Sequence, residues 1–146
     1  MSDTPAVRIL LVEDNNADVY LFRKALQSAD LHVELVVIED GAEALAFVGE
    51  DDKYSRSPIP NLAVLDLNLP KNDGIQVLRA MRQNERFAHV PVVVTSSSPS
   101  LPLQAETEQL RVSRYIRKPP DLEEFLKIGE ILKGVIEEAR AAPQTE

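Results

Sequence analysis

The sequence predicts an α/β fold, a doubly wound five-stranded parallel sheet with helices on both faces, forming a three-layer sandwich. Three observations lead there. Short runs of aliphatic and β-branched residues alternate, five times over, with segments whose apolar residues recur at helical spacing. The runs are continuous, as in strands covered on both faces, where an exposed face would impose alternation. The first and third runs give way abruptly to carboxylates, which places acidic side chains at the end of the sheet where doubly wound folds open their binding crevice.

Val7–Val12 (VRILLV) is the first strand, ending in Glu13, Asp14 and Asn15. Asn15 or Asn16 caps a helix from Ala17 to Ala29 whose Val19, Phe22, Leu26 and Ala29 face inward. Leu35–Ile38 is the second strand, followed after Glu39-Asp40-Gly41 by a short helix, Ala42–Val48. Residues 49–61 form a polar, proline-bearing surface loop. The third strand, Leu62–Leu65, ends on Asp66; Asn68, Pro70 and Asp73-Gly74 make a turn-rich loop before a helix over Ile75–Gln83, with Leu78 and Met81 in the core. Val90–Val94 is the fourth strand, with Pro91 near its start where a proline does least harm, and it runs out into Thr95-Ser96-Ser97-Ser98. Pro99 and Pro102 restrict the fourth helix to Leu103–Leu110. Arg114–Arg117 is an edge strand closed by Lys118-Pro119-Pro120, and a long last helix runs from Leu122 to Arg140 behind an Asp121 cap.

A chain of 146 residues makes one domain, 1–146, with a core over about 7–138 and flexible tails, and leaves no room for a separate output domain. At 44% apolar residues it builds a real core. The absence of cysteine excludes disulfides, thiolate metal sites and thiol nucleophiles, and two distant histidines, His32 and His89, make no metal site. A formal charge of -8 repels phosphate backbones and anionic lipid, so neither nucleic acid nor membrane is expected as a partner. With no signal-like N-terminus and no long apolar run, the expected location is cytoplasmic. The remaining chemistry belongs to carboxylates, hydroxyls and amines.

Those groups sit together at the strand ends: Glu13 and Asp14 after the first, Asp66 after the third, Ser96 at the fourth and Lys118 after the fifth. Converging carboxylates repel one another and call for positive charge, and with only oxygen donors available the natural solution is a hard cation, Mg2+ with Mn2+ as a substitute. Asp14 and Asp66 would ligate directly, Glu13 through water, and the Asn68 carbonyl would complete the protein's share. An aspartate beside such a cation also serves as a nucleophile toward phosphorus. The three equatorial oxygens of the transferred group then need three partners: the cation, the Lys118 ammonium, and the Ser96 hydroxyl with the Ser97 N–H. Taken singly, each residue has an ordinary role as a helix cap, turn residue or surface lysine. Their joint placement at four strand ends is what points to chemistry.

The stretches LLVEDN, VLDLNLPKNDG, PVVVTSS and RYIRKP resemble the receiver domain of two-component response regulators, over residues 7–138. Ser96 follows Asp66 by 30 positions and Lys118 follows Ser96 by 22, as in that family. The resemblance implies a flavodoxin-like strand order, 2-1-3-4-5. It makes Asp66 the phosphoacceptor, Glu13 and Asp14 the acidic pair, Asn68 the carbonyl ligand, Ser96 the switch hydroxyl, Tyr115 the switch aromatic and Lys118 the site lysine, aimed by a cis bond to Pro119. Thr95, one residue from Ser96, points to the opposite face of the strand and is a packing residue. Among the single-domain regulators of that family the chain departs at Arg111, where glycine is usual, and at Pro99 and Pro102.

Within the family the chain is similar to single-domain regulators that work with bacterial phytochrome-type sensor histidine kinases. The implied function is acceptance of a phosphoryl group from such a kinase on Asp66, with self-catalysed phosphorylation and dephosphorylation and a surface change that signals onward. A histidine phosphotransfer protein is a second candidate partner. The alternatives are a magnesium-dependent small-molecule phosphatase or phosphotransferase with an aspartate nucleophile, and a non-phosphorylated scaffold. The last helix carries Leu126, Ile128, Ile131 and Val135 beyond the stripe formed by Leu122, Phe125, Gly129, Leu132, Ile136 and Ala139, and this surplus predicts a homodimer through its outer face with the fourth helix and fifth strand.

Overall fold

The computed structural model describes residues 7–49, 54, 56–70, 73–98 and 100–141. In chain order the elements are β1 (Val7–Val12), α1 (Asn16–Ser28), β2 (Val33–Ile38), α2 (Gly41–Val48), β3 (Leu62–Asp66), α3 (Asp73–Gln83), β4 (Val92–Ser96), α4 (Leu101–Gln109), β5 (Arg114–Arg117), α5 (Leu122–Leu126) and α6 (Ile128–Ala141). The strands form one parallel sheet in the order β2-β1-β3-β4-β5, which is the doubly wound architecture expected. The expected tails, residues 1–6 and 142–146, and Pro99 lie outside the described residues. No helix among the described residues is long and apolar enough to cross a membrane.

Side-chain alternation along each strand divides the interior into two cores. On one face Leu10, Val12, Ala63, Leu65, Val92 and Val94 meet α2 and α3, with Leu103, Leu110 and Tyr115 packed at the margin. On the other, Ile9, Leu11, Leu62, Val64 and Val93 meet Phe22 and Leu26 of α1 and the apolar side of α5 and α6. Phe22 and Phe125 lock these helices together edge to face, with ring centroids 5.0 Å apart.

The structure corrects the end of the chain. The single last helix is two segments, with Lys127 between them donating its N–H to the Glu124 carbonyl at 3.2 Å, a tightened turn. The break falls just before Gly129, whose backbone lies so close to α1 that a Cβ there would stand 2.0 Å from the Ala25 carbonyl oxygen. The supposed surplus of outward aliphatics is mostly core: Ile128 and Val135 are buried and Leu126 is half-buried, because the helix packs on α1 as well as on the sheet. Leu122, assigned to the sheet-facing stripe, is instead 55% exposed, and Ile131 is 38% exposed.

Other boundaries shift for local reasons. β4 begins after Pro91 and extends through Thr95 and Ser96, which pair with Asp66 of β3 and Arg117 of β5. α4 starts at Leu101 because Ser100 caps it and Pro102 falls in the first turn, where no N–H is required. Gly74 belongs to the first turn of α3 and not to a preceding turn. Arg111, which follows the end of α4, adopts φ 63°, the left-handed conformation that a glycine takes without strain. The Arg82 guanidinium braces that turn by donating to the carbonyls of Leu110 (2.8 Å) and Val90 (2.9 Å).

Candidate functional site

The sheet register brings the chemistry to one edge. Asp66 is the last residue of β3 and pairs with Thr95 of β4, while Ser96 pairs with Arg117 of β5, one residue before Lys118. Backbone bonds from Leu67 N–H to the Thr95 carbonyl (2.8 Å) and from Lys118 N–H to the Ser96 carbonyl (2.9 Å) continue the ladder past the strand ends. β1 supplies Glu13, whose N–H donates to the Ile38 carbonyl at 3.1 Å.

Glu13 and Asp66 are buried, whereas Asp14 is exposed. Each offers a carboxylate oxygen, and those oxygens lie within 4.8 Å of one another. Asp66 accepts from the Asn68 N–H at 2.8 Å on one oxygen and from the Lys118 ammonium at 3.2 Å on the other. Lys118 also pairs with Glu13 at 2.8 Å, and the second Glu13 oxygen accepts from the Asn15 N–H at 3.2 Å.

Burial, reinforced by the adjoining Asp66 carboxylate and opposed by Lys118, pushes the Glu13 carboxyl up to about 7. Burial alone would lower Lys118, but its close contacts with the Asp18 and Glu13 carboxylates and the neighbouring Asp66 charge outweigh that and hold it above its ordinary value. The lysine is therefore charged, yet one ammonium does not balance this many carboxylates. All-oxygen donors, two of them sealed from water and one open to it, fit a hard divalent cation that keeps part of its water shell.

At Ser96 the hydroxyl donates to the Ser98 carbonyl (3.0 Å) and accepts from the Ser98 N–H (3.2 Å), so it is held by its own loop. The Thr95 hydroxyl is buried without a partner. The Ser97 N–H, expected to be open to a ligand, donates to the Asn68 side-chain oxygen at 2.6 Å, and the Ser97 hydroxyl donates to the same oxygen at 3.0 Å. The Tyr115 ring packs at the margin of the core that α2 and α3 cover, and its hydroxyl is buried and unpartnered. No described peptide bond is cis, so the expected cis Lys118–Pro119 bond is a correction; Lys118 reaches the carboxylates from a trans bond.

Sequence reasoning missed Asp18. It stands in the first turn of α1 and accepts from the Lys118 ammonium at 2.8 Å, across 100 residues of chain. Its only sequence signal is an acid one turn into the helix that follows Glu13 and Asp14, which by itself is what a helix dipole favours.

A parallel 2-1-3-4-5 sheet with acidic residues at the ends of β1 and β3 and a lysine after β5 defines a phosphoacceptor module of the receiver class. The response regulator receiver domain family matches residues 9–130, and the chain belongs to that family. It is 39% identical over 130 residues to the response regulator Rcp1 of Synechocystis sp., covering 88% of each chain. Among solved structures, the Mn2+-bound form of Rcp1 superposes with a TM-score of 0.80 at 34% identity, covering 96% of this chain and 99% of that one. The phosphorylated cyanobacterial phytochrome response regulator RcpA gives 0.79 at 34% identity, covering 96% and 98%. Receiver domains bind Mg2+, and the Glu13, Asp14 and Asp66 oxygens fit that ion. Family membership does not favour the small-molecule phosphatase reading.

Proposed function

We propose that this response regulator takes its phosphoryl group on Asp66 from the phosphohistidine of a sensor histidine kinase. The observation that carries the reading is the Asp66 carboxylate, buried at the crevice with the Lys118 ammonium at 3.2 Å and two further carboxylates beside it. An Asp66 oxygen forms the bond to phosphorus as the bond to the kinase imidazole breaks. Asp14, Asp66 and the Asn68 carbonyl would hold Mg2+, with Glu13 beside them, and the ion would neutralise charge as the phosphoryl group transfers. Lys118 takes a second oxygen. For the third, the Ser96 hydroxyl leaves Ser98 and the Ser97 N–H leaves Asn68, so phosphorylation competes with bonds that now fix both loops. Tyr115, on β5 with its ring packed at the margin of the same core as Leu103 and Leu110 of the α4 region, serves in this reading as the switch aromatic.

The kinase is proposed to be of the phytochrome type, since the similar RcpA is a phytochrome response regulator and the similar AtBRR, at 31% identity and TM-score 0.69 over 98% of this chain and 99% of that one, is a bacteriophytochrome response regulator. A cytoplasmic location and relay to a histidine phosphotransfer protein belong to the same reading. A homodimer through α4, β5 and α6 now rests on exposed Leu122 and Ile131 and on the edge position of β5, a narrower basis than the sequence offered. Sedimentation at several concentrations tests it: Ile131→Glu shifts a dimer to monomer, and a wild type that stays monomeric with and without phosphodonor removes it. The site itself is tested with Mg2+, a small phosphodonor, intact mass and peptide mapping. Wild type gains one phosphate at Asp66 and Asp66→Asn gains none; equal labelling of the variant at another dominant position overturns the assignment.

A further inference from the structure

We propose that Asp18 is a positioning residue for Lys118, giving the ammonium a partner outside the cation cluster so that Glu13 and Asp66 are free to accept a divalent ion. The inference rests on the reading that Glu13, Asp14 and Asp66 hold that ion. The ammonium lies within ion-pair distance of three carboxylates, Glu13 at 2.8 Å, Asp18 at 2.8 Å and Asp66 at 3.2 Å, and of these it donates hydrogen bonds to Asp18 and Asp66, while the Glu13 oxygen beside it is buried without a hydrogen-bond partner. The longest contact is the one to the proposed nucleophile. Two of the three partners also belong to the carboxylate cluster, and Asp18 does not.

A cation entering that cluster meets the ammonium on the same oxygens, and the repulsion between them opposes binding. A lysine retained by Asp18 yields those oxygens without losing its counter-charge. Remove the Asp18 charge and the ammonium depends on Glu13 and Asp66 alone, so it competes harder with the ion. The side chains are placed for such an exchange, Lys118 at 10% and Asp18 at 21% exposure, since water weakens an ion pair there far less than at the open surface.

The ordinary explanation for an acid at this position is helix capping, and the bonds argue against it. Asp18 is three residues past the Asn15 cap, where a capping box would return its carboxylate to the Asn15 N–H. That N–H is taken by Glu13 at 3.2 Å, and Asn15 caps the helix through the Asp18 N–H at 3.1 Å. The Asp18 carboxylate is left for Lys118.

A double-mutant cycle separates action through the lysine from direct attraction of the ion. Mn2+ binding to the metal-free full chain is followed by electron paramagnetic resonance of the free ion in wild type, Asp18→Asn, Lys118→Met and the double variant. Asp18→Glu and Asp14→Asn are run beside them, and thermal unfolding verifies the fold of each. Asp18→Asn is expected to weaken Mn2+ binding about fivefold when Lys118 is present and to have no effect in Lys118→Met, a coupling of the size seen for neighbouring charges. Asp18→Glu, which keeps the charge, restores most of the affinity. An equal loss in both backgrounds assigns Asp18 a direct Coulomb effect and overturns the proposal, as does an unchanged affinity in Asp18→Asn. If Asp14→Asn leaves binding intact, the cation-site reading fails and the proposal falls with it; if Asp14→Asn weakens binding while Asp18→Asn does not, only the role of Asp18 is lost.

Discussion

Gly74→Ala places a single methyl group against the backbone of the proposed phosphoacceptor. A Cβ at this buried position would stand 2.2 Å from the Asp66 carbonyl oxygen and 3.0 Å from both its carbonyl carbon and the Leu67 Cα. All three are backbone atoms, so no rotamer change relieves the contact. A carbon approaches a carbonyl oxygen to roughly 3.3 Å, so the first turn of α3 and the end of β3 must part by about 1 Å. Overpacking of this kind costs about 1–3 kcal/mol, and the better helix propensity of alanine returns less than about 1 kcal/mol. The expected net loss is about 1–2 kcal/mol by urea unfolding. The functional loss should be larger, because displacing a reacting group by about 1 Å slows a reaction by up to about 100-fold. The assay compares unfolding free energy with the initial rate of phosphorylation by a small donor at saturating Mg2+. Gly134→Ala is the control: nothing lies within 4 Å of its Cβ position, so it should stabilise α6 by about 0.5–1 kcal/mol and leave the rate unchanged. Wild-type stability and rate in Gly74→Ala, or equal slowing in Gly134→Ala, would refute the reasoning.

Two further outcomes follow from buried polar groups. Thr95→Val removes a sealed, unpartnered hydroxyl without changing shape, so stability should hold or rise by about 1 kcal/mol with phosphorylation intact, whereas Ser96→Ala should be phosphorylated but fail to move Tyr115 as followed by NMR; the reverse pattern would move the switch position by one residue. Because Glu13 must lose its proton to serve a cation, Mg2+ affinity by calorimetry should rise about tenfold between about pH 6 and about pH 8, and this rise should vanish in Glu13→Gln. Without metal the sign reverses for stability: the folded chain keeps the Glu13 proton from the ordinary glutamate value of 4.5 up to about 7 while the unfolded chain has lost it, so stability falls across that interval, and a Glu13→Gln protein with the same slope would disprove the link.

The strand runs and the acids that end them made the fold and most of the site legible, because a strand covered on both faces must be continuously apolar and a crevice at its end must be polar. β1 and β5 fall where their residues put them. What escaped depends on long-range contacts. Asp18 gains its significance from a lysine 100 residues away, and no local pattern distinguishes it from a helix-dipole acid. Gly74 looked like a turn glycine because Asp-Gly is a turn signal; its need for close approach to Asp66 appears only once α3 is set on β3. The sequence gives the last helix an apparent surplus apolar face because a stripe shows how much surface is buried and not how many neighbours bury it.

On the proposed function, the same contacts give a charge change at Asp66 a route through the fold. β3, β4 and β5 are adjacent, and their ends carry Asp66, Ser96 and Lys118, so a new phosphoryl group meets one group from each neighbouring strand. Drawing the Ser96 hydroxyl off Ser98 and the Ser97 N–H off Asn68 loosens the loop that leads into α4. Drawing Lys118 toward phosphate pulls on the end of β5 three residues beyond Tyr115, whose buried hydroxyl has no partner to hold it. Both movements converge on the α4–β5 face. That face is braced from below by Arg82, which ties the left-handed turn at Arg111 to the loop before β4. The lower end of α4 is therefore anchored at its C-terminal turn, so on the proposed function release of the 97–98 loop would pivot the helix about that turn and leave its fold intact.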